Sequence, residues 1–66
     1  MPLITIESGE LPAEVKEELT KKITDLAADV TGIPKSSFWV FIKELPDENI
    51  SVGGKSLVEI RKELNK

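Results

Sequence analysis

Two short apolar runs separated by one long amphipathic segment limit what this chain can fold into. Between residues 15 and 30 the apolar residues recur every three or four positions, which predicts an amphipathic helix of about five turns. Pro12 and Glu14 mark its start, and Gly32 followed by Pro34 marks its end. The predicted apolar stripe consists of Val15, Leu19, Ile23, Leu26, Ala27 and Val30.

The two apolar runs read as strands. Residues 2–7 are rich in β-branched side chains and are followed by Ser8-Gly9, which indicates a strand that ends there. Residues 38–42 are a continuous aromatic and β-branched run, which favours a strand covered on both faces. A strand, a long helix and a second strand form a βαβ unit, whose strands are parallel and whose crossover is right-handed.

The last third of the chain predicts smaller elements. Residues 45–49 are typical of a turn, residues 50–52 of a short strand, and Gly53-Gly54 of a turn with positive φ angles. Residues 56–66 carry apolar side chains at helical spacing, which predicts a terminal helix or a segment packed on a neighbouring subunit. The predicted fold class is α/β (α+β), a single domain over residues 1–66 with one βαβ unit and a short C-terminal hairpin.

Length and composition indicate self-association. A 66-residue chain buries too little surface to supply more than about 3–5 kcal/mol from one core. The sequence has no cysteine for a disulfide and no histidine or cysteine for a structural metal site, so we expect no metal. We therefore expect a homo-oligomer whose sheet is completed by other copies.

Charge and hydropathy exclude several partners. The formal net charge of -3 and the lack of a basic cluster argue against binding to nucleic acid or to an anionic membrane. No apolar stretch approaches the ~18 residues of a membrane span, and the start of the chain lacks a secretory leader. We expect a soluble cytoplasmic protein.

Pro2 is the candidate catalytic residue. Once Met1 is removed, Pro2 becomes an N-terminal secondary amine that can act as a base or a nucleophile. A pocket of low dielectric constant would lower the pKa of this amine towards neutrality. The alternative is a proline that merely starts a strand at a terminus without a function.

The order of these parts resembles the 4-oxalocrotonate tautomerase family. The resemblance rests on Met1-Pro2 before a short strand, on the helix with Glu14, Lys16 and Leu19, and on Ser51-Val52-Gly53-Gly54 after the second strand. It implies βαβ subunits that assemble as hexamers. It also implies that Pro2 shuttles protons in the keto–enol isomerisation of a small enol or 2-oxo acid, without a cofactor.

The resemblance also aligns three further positions. The family's two carboxylate-binding arginines fall at Leu11, or Glu10 with a different gap, and at Trp39, and its pocket aromatic falls at Ile50. Leu11, Trp39 and Ile50 are therefore expected to line the pocket, although Trp39 can equally fill a core or an interface. Two missing charged contacts cost roughly 3–6 kcal/mol, which favours a monocarboxylate, a neutral enol or an aromatic enol over a dicarboxylate.

Several alternatives stay open. Lys43 and Lys55 can replace an arginine as carboxylate anchors or can be solvated surface residues. A chain without the arginines can be a non-catalytic oligomeric binding or scaffold protein. The same proline chemistry can serve decarboxylation or dehalogenation, as in related proline-terminated enzymes. Each catalytic reading requires removal of Met1, because an amide nitrogen is a poor base.

Overall fold

A computed structural model describes residues 2–65 and contains one βαβ unit and a C-terminal hairpin, as predicted. The unit consists of β1 (Leu3–Gly9), α1 (Ala13–Thr31) and β2 (Trp39–Leu45). The hairpin consists of β3 (Ser51–Val52) and β4 (Lys55–Ser56), and α2 (Leu57–Leu64) follows it. Short 3-10 turns at Lys35–Ser37 and Asp47–Asn49 lead into β2 and β3.

The strands β1 and β2 pair in parallel along their whole length. The register runs from Leu3 opposite Trp39 to Gly9 opposite Leu45. The Trp39 N–H also donates to the Pro2 carbonyl oxygen at 3.0 Å, so the ladder reaches one residue before β1. Both strands end later than predicted, because this pairing extends β1 through Ser8-Gly9 and β2 from Ile42 to Leu45.

The ends of α1 agree with the sequence signals. Pro12 precedes the first helical residue, and its carbonyl oxygen accepts hydrogen bonds from the N–H groups of Val15 and Lys16, both at 3.1 Å. Gly32 ends the helix in the left-handed conformation with φ of 75°, and its N–H donates to the Ala28 carbonyl at 2.9 Å. A side chain at residue 32 would strain this cap.

One face of the sheet is open. Exposure alternates along β2: Val40 and Ile42 are half-buried on the side of α1, whereas Trp39, Phe41 and Leu45 are exposed on the other side, here called the open face. The expectation that β2 is covered on both faces is not met within one copy. A single helix can cover only one side of a two-stranded sheet.

The apolar stripe of α1 is wider than the sheet beneath it. Leu26 is 63% exposed and Val30 is 75% exposed, although both belong to the predicted stripe. Two strands lie only about 5 Å apart, whereas a helix with its side chains is about 10 Å across. One edge of the stripe therefore has nothing to pack against in one copy.

The segment from residue 46 to residue 65, here called the C-terminal arm, is held together by short-range contacts. Gly53 and Gly54 have φ of 61° and 84°, which confirms the predicted turn. The Ser56 hydroxyl caps α2 by accepting from the Glu59 N–H at 3.2 Å, and the Leu57 N–H donates to the Ile50 carbonyl at 2.8 Å.

Two ion pairs brace the C-terminal arm. Arg61 contacts Asp47 at 2.8 Å, and Lys55 contacts Glu63. Within residues 2–65, all hydrogen bonds and ion pairs of the arm join residues of the arm itself. The arm is therefore a local structure attached to the βαβ unit through Leu45-Pro46.

The molecule is elongated and has no sealed interior. Its principal extents are 47 × 22 × 16 Å and its radius of gyration is 15.7 Å, compared with about 11 Å for a compact chain of this length. The accessible surface of 5197 Å² exceeds by about 1,000 Å² the surface expected of a monomer of this mass. Among residues 2–65, none is fully buried.

Across residues 2–65, no helix combines the length and apolarity needed to cross a lipid bilayer.

Candidate active site

Pro2 lies at the amino end of β1, where the parallel ladder begins. Its carbonyl oxygen is fixed by the Trp39 N–H at 3.0 Å, and the residue is half-buried. Strand alternation places the Pro2 ring on the α1 side of the sheet with Ile4. Met1, whose removal would free the Pro2 amine, lies outside the described residues.

Trp39, the first residue of β2, lies at the same end of the sheet as Pro2 and is 50% exposed. It lies opposite Leu3 in the register and beside Phe41 on the open face, with a ring centroid distance of 6.3 Å and an interplanar angle of 40°. Pro2 and Trp39 are thus neighbours through their backbones, yet their side chains lie on opposite faces of the sheet.

Leu11 lies at the other end of the sheet. Its N–H donates to Oε2 of Glu44 at 2.8 Å, and Nζ of Lys16 lies 2.7 Å from Oε1 of the same carboxylate. The Lys16 hydrogen bond and then the Leu11 N–H hold the pKa of Glu44 below its ordinary value of 4.5. The seven residues of β1 separate Leu11 from Pro2 by about 20 Å within one copy.

Ile50 belongs to the C-terminal arm. It is half-buried, and its carbonyl oxygen accepts the Leu57 N–H at 2.8 Å. The structure therefore brings together only the backbones of Pro2 and Trp39, and it distributes the four predicted site residues over both ends of the sheet, both of its faces and the arm.

Two grooves lie along α1. One, between α1 and β2, contains Lys21, Asp25 and Lys35 beside the apolar side chains of Phe38 and Val40. The other lies among charged side chains on the outer surface of α1. Neither is lined by Pro2, Leu11, Trp39 or Ile50.

The cations near these residues are largely engaged. Lys35, just before β2, contacts Asp25 at 2.8 Å, and Arg61, the single arginine of the chain, contacts Asp47. Of the two lysines proposed as carboxylate anchors, Lys55 contacts Glu63, and Lys43 lies on the open face opposite Glu7. In residues 2–65, no cluster of three or more potential metal ligands occurs.

Two residues around the site were not singled out from the sequence. Phe41 extends the aromatic surface of Trp39, and the spacing of two between them was sufficient to place them on one face. Glu44 accepts a hydrogen bond from the loop that carries Leu11, but no local sequence pattern predicts a contact between residues 33 positions apart.

Comparisons with known proteins agree with this architecture. The family model described as tautomerase enzyme matches residues 2–60. A probable tautomerase of Bacillus cereus is 36% identical over 58 residues, which cover 86% of this chain and 95% of that protein.

Solved structures give the same result. TomN, a 4-oxalocrotonate tautomerase homologue of the tomaymycin biosynthetic pathway, superposes with a TM-score of 0.88 at 31% identity, covering 92% of this chain and 95% of its own. A chain of the heterohexameric 4-oxalocrotonate tautomerase of Chloroflexus aurantiacus superposes with a TM-score of 0.78 at 28% identity, covering 92% and 98%. The extent of both the sequence match and the structural match shows that this chain belongs to the tautomerase family.

Proposed function

We propose that this protein is a keto–enol tautomerase that acts on a small 2-oxo acid-like substrate, with Pro2 as the general base. The observation that carries the proposal is the position of Pro2, held at the start of a parallel ladder by the Trp39 N–H in a chain of the tautomerase family. An amine at this point is anchored through its own carbonyl group while its nitrogen is free for proton transfer.

The reaction needs one base and no redox partner. Neutral Pro2 nitrogen takes the proton from the enol oxygen, and the C–O bond becomes a carbonyl as the electron pair of the C=C bond moves to carbon. The protonated amine then returns a proton to that carbon, which restores the base. The nitrogen can do this only as an amine, so the mature enzyme begins at Pro2.

We further propose that the working form is a homo-oligomer, a hexamer by analogy with the family. The surface excess of about 1,000 Å² is comparable to the ~800 Å² that each partner buries in a stable interface. On α1, the side next to β2 is polar and lines the groove with Phe38 and Val40. The exposed Leu26 and Val30 do not line this groove, and their apolar surface supports an interface on another side of α1.

The scattered positions of the predicted site residues support the same conclusion. Pro2 and Leu11 are about 20 Å apart in one copy, and Ile50 lies on the C-terminal arm. A pocket that contains Pro2, Leu11, Trp39 and Ile50 therefore combines residues of different copies. In such a pocket, the half-exposed apolar surface around Trp39 would exclude water from the Pro2 amine and so lower its pKa.

The decisive experiment combines mass with kinetics. Intact mass identifies protein that has lost Met1, and this protein is assayed with enols of monocarboxylic and dicarboxylic 2-oxo acids. We expect protein that retains Met1, whose Pro2 nitrogen is an amide, to have a kcat/KM lower by about 10²-fold or more, because a positioned base contributes about 10²–10⁴-fold. An unchanged rate would refute Pro2 as the base. Absence of activity from the methionine-free wild type would favour the scaffold alternative.

A further inference from the structure

Glu44 joins the end of β2 to the residues that connect β1 to α1, residues 10–12, here called the 10–12 loop. Alternation along β2 places its side chain on the α1 side of the sheet, and Ser8 of β1 lies opposite in the register. One carboxylate oxygen, Oε2, accepts a hydrogen bond from the Leu11 N–H at 2.8 Å, and the other, Oε1, lies 2.7 Å from Nζ of Lys16. Both oxygens therefore hold segments that are distant in sequence.

The 10–12 loop has few other constraints. Pro12 has no N–H to donate, and no side chain caps the start of α1. The Pro12 carbonyl oxygen accepts hydrogen bonds only from N–H groups of α1 among the described residues. Within residues 2–65, the hydrogen bond from Leu11 to Glu44 is the single one that joins the loop to the sheet. The position of Leu11 relative to the sheet thus depends on Glu44.

The contact with Lys16 keeps the Glu44 carboxylate ionised and in place. The two side chains are 34% and 27% exposed, the lowest values among the ion pairs of residues 2–65. The Lys16 hydrogen bond, followed by the Leu11 N–H, lowers the pKa of Glu44. An ionised carboxylate of low pKa is a weak base and has no proton to give at neutral pH. Glu44 is therefore suited to holding the loop rather than to acid–base chemistry.

We propose that Glu44 is a positioning residue of the tautomerase site, which accepts the Leu11 N–H and so fixes the 10–12 loop where Leu11 contacts the substrate. This role rests on the proposed tautomerase function, in which Leu11 lines the pocket. Glu44 itself touches no substrate and acts only through the loop. A loop that holds the substrate equally in its ground state and its transition state changes KM rather than kcat.

Two variants, Glu44→Gln and Glu44→Met, separate the loop contact from the ion pair. Both remove the charge that pairs with Lys16, but glutamine keeps an oxygen that can accept from the Leu11 N–H, whereas methionine offers only a weak sulfur acceptor. Methionine-free protein is assayed with the enol that wild type converts fastest. We expect KM of Glu44→Met to exceed that of Glu44→Gln by about 2- to 12-fold, the factor for one hydrogen bond. The kcat values should differ by less than about 2-fold.

Hydrogen exchange at the Leu11 amide tests the same contact without a substrate. This amide should exchange about 2- to 12-fold faster in Glu44→Met than in Glu44→Gln, because only the glutamine can protect it. Light scattering establishes that both variants are assembled. If Glu44→Met does not assemble, Glu44→Val takes its place, since a β-branched side chain suits a strand and also lacks an acceptor.

The outcomes distinguish this role from the proposed activity. Equal KM values for the two assembled variants, or equal exchange at Leu11, would overturn the role of Glu44 and leave Pro2 as the proposed base. A kcat that falls while KM stays constant would also overturn it. Methionine-free wild type that is inactive towards every enol would overturn the proposed function and the role of Glu44 with it.

Discussion

The βαβ unit and the C-terminal arm are built by different kinds of contact. In the unit, residues 28 or more positions apart meet, as in the ladder of β1 with β2 and in the contacts of Glu44 with Lys16 and Leu11. In the arm, every hydrogen bond and ion pair of the described residues joins neighbours within one short segment. The unit thus fixes the position of Pro2. The arm, which carries Ile50, makes no hydrogen bond or ion pair to the unit within residues 2–65.

This difference teaches how so small a chain can build a site. The unit holds Pro2, the proposed base, at a fixed point but leaves its open face and one side of α1 uncovered. The arm is compact in itself and extends from the end of β2. In the proposed oligomer, another copy would cover the apolar surface that each region leaves exposed.

The largest expected effect is on assembly through the βαβ unit. Leu26→Glu places a charge on the uncovered side of α1, where an apolar interface would have to desolvate it at a cost of several kcal/mol. We expect the apparent dissociation constant to rise about 100-fold or more, measured by light scattering over a dilution series. Lys21→Glu, which puts the same side chain on the polar side of α1, should leave the size unchanged. An intact oligomer for Leu26→Glu would show that this stripe is not an interface.

A medium effect is expected from strain confined to the arm. Gly54 has φ of 84° and no atom within 4 Å of an added Cβ, so Gly54→Ala should act through backbone strain alone. A cost of about 1–2 kcal/mol follows from forcing an L-residue into this conformation. Hydrogen exchange should show faster exchange at the arm amides and little change at β1 and β2.

The matched control for that prediction is Gly9→Ala. A Cβ at Gly9 also meets nothing within 4 Å, but the backbone there is not left-handed. If Gly54→Ala accelerates exchange equally in β1 and β2, the arm and the unit open together and the division between them is wrong.

A smaller effect should depend on pH. Because the Lys16 and Leu11 contacts lower the pKa of Glu44 in the folded state, its carboxylate stabilises the fold above the ordinary value of 4.5. That stability is lost as the pH falls through the lowered value. Glu44→Gln should therefore reduce the Tm at neutral pH, and the difference from wild type should shrink below pH 4.5.

The control for Glu44 lies in the arm. Glu63→Gln breaks the exposed ion pair with Lys55, and such pairs are worth only about 0–1 kcal/mol. Its Tm at neutral pH should therefore change less than that of Glu44→Gln. A larger change would mean that contacts within the arm, rather than the contacts of Glu44 near the start of α1, limit thermal stability.

The sequence predicted the elements well because their signals are local. The stop at Gly32, the turn at Gly53-Gly54 and the strand periods are all decided by neighbouring residues. The lengths of β1 and β2 were underestimated, because pairing between distant residues extends them beyond their apolar cores.

The candidate site was predicted only as a set of residues. Pro2 was predicted from its place behind Met1, and Leu11, Trp39 and Ile50 from the family resemblance. Their relative positions depend on topology, which separates Leu11 from Pro2 and puts Trp39 on the face away from the Pro2 ring. The exposure of Leu26 and Val30 was not expected either, since helical periodicity identifies an apolar stripe but not the width of the partner that covers it.

The hydrogen bond from Trp39 to Pro2 has a consequence for redesign. The ladder engages residue 2 through a carbonyl oxygen, an atom that every amino acid possesses. Exchanging residue 2 therefore alters the amine that removal of Met1 would expose, without removing its anchor. A chain starting with alanine or glycine would present a primary amine at the same point. Such an amine can form an imine with a ketone, a bond-forming chemistry different from proton transfer.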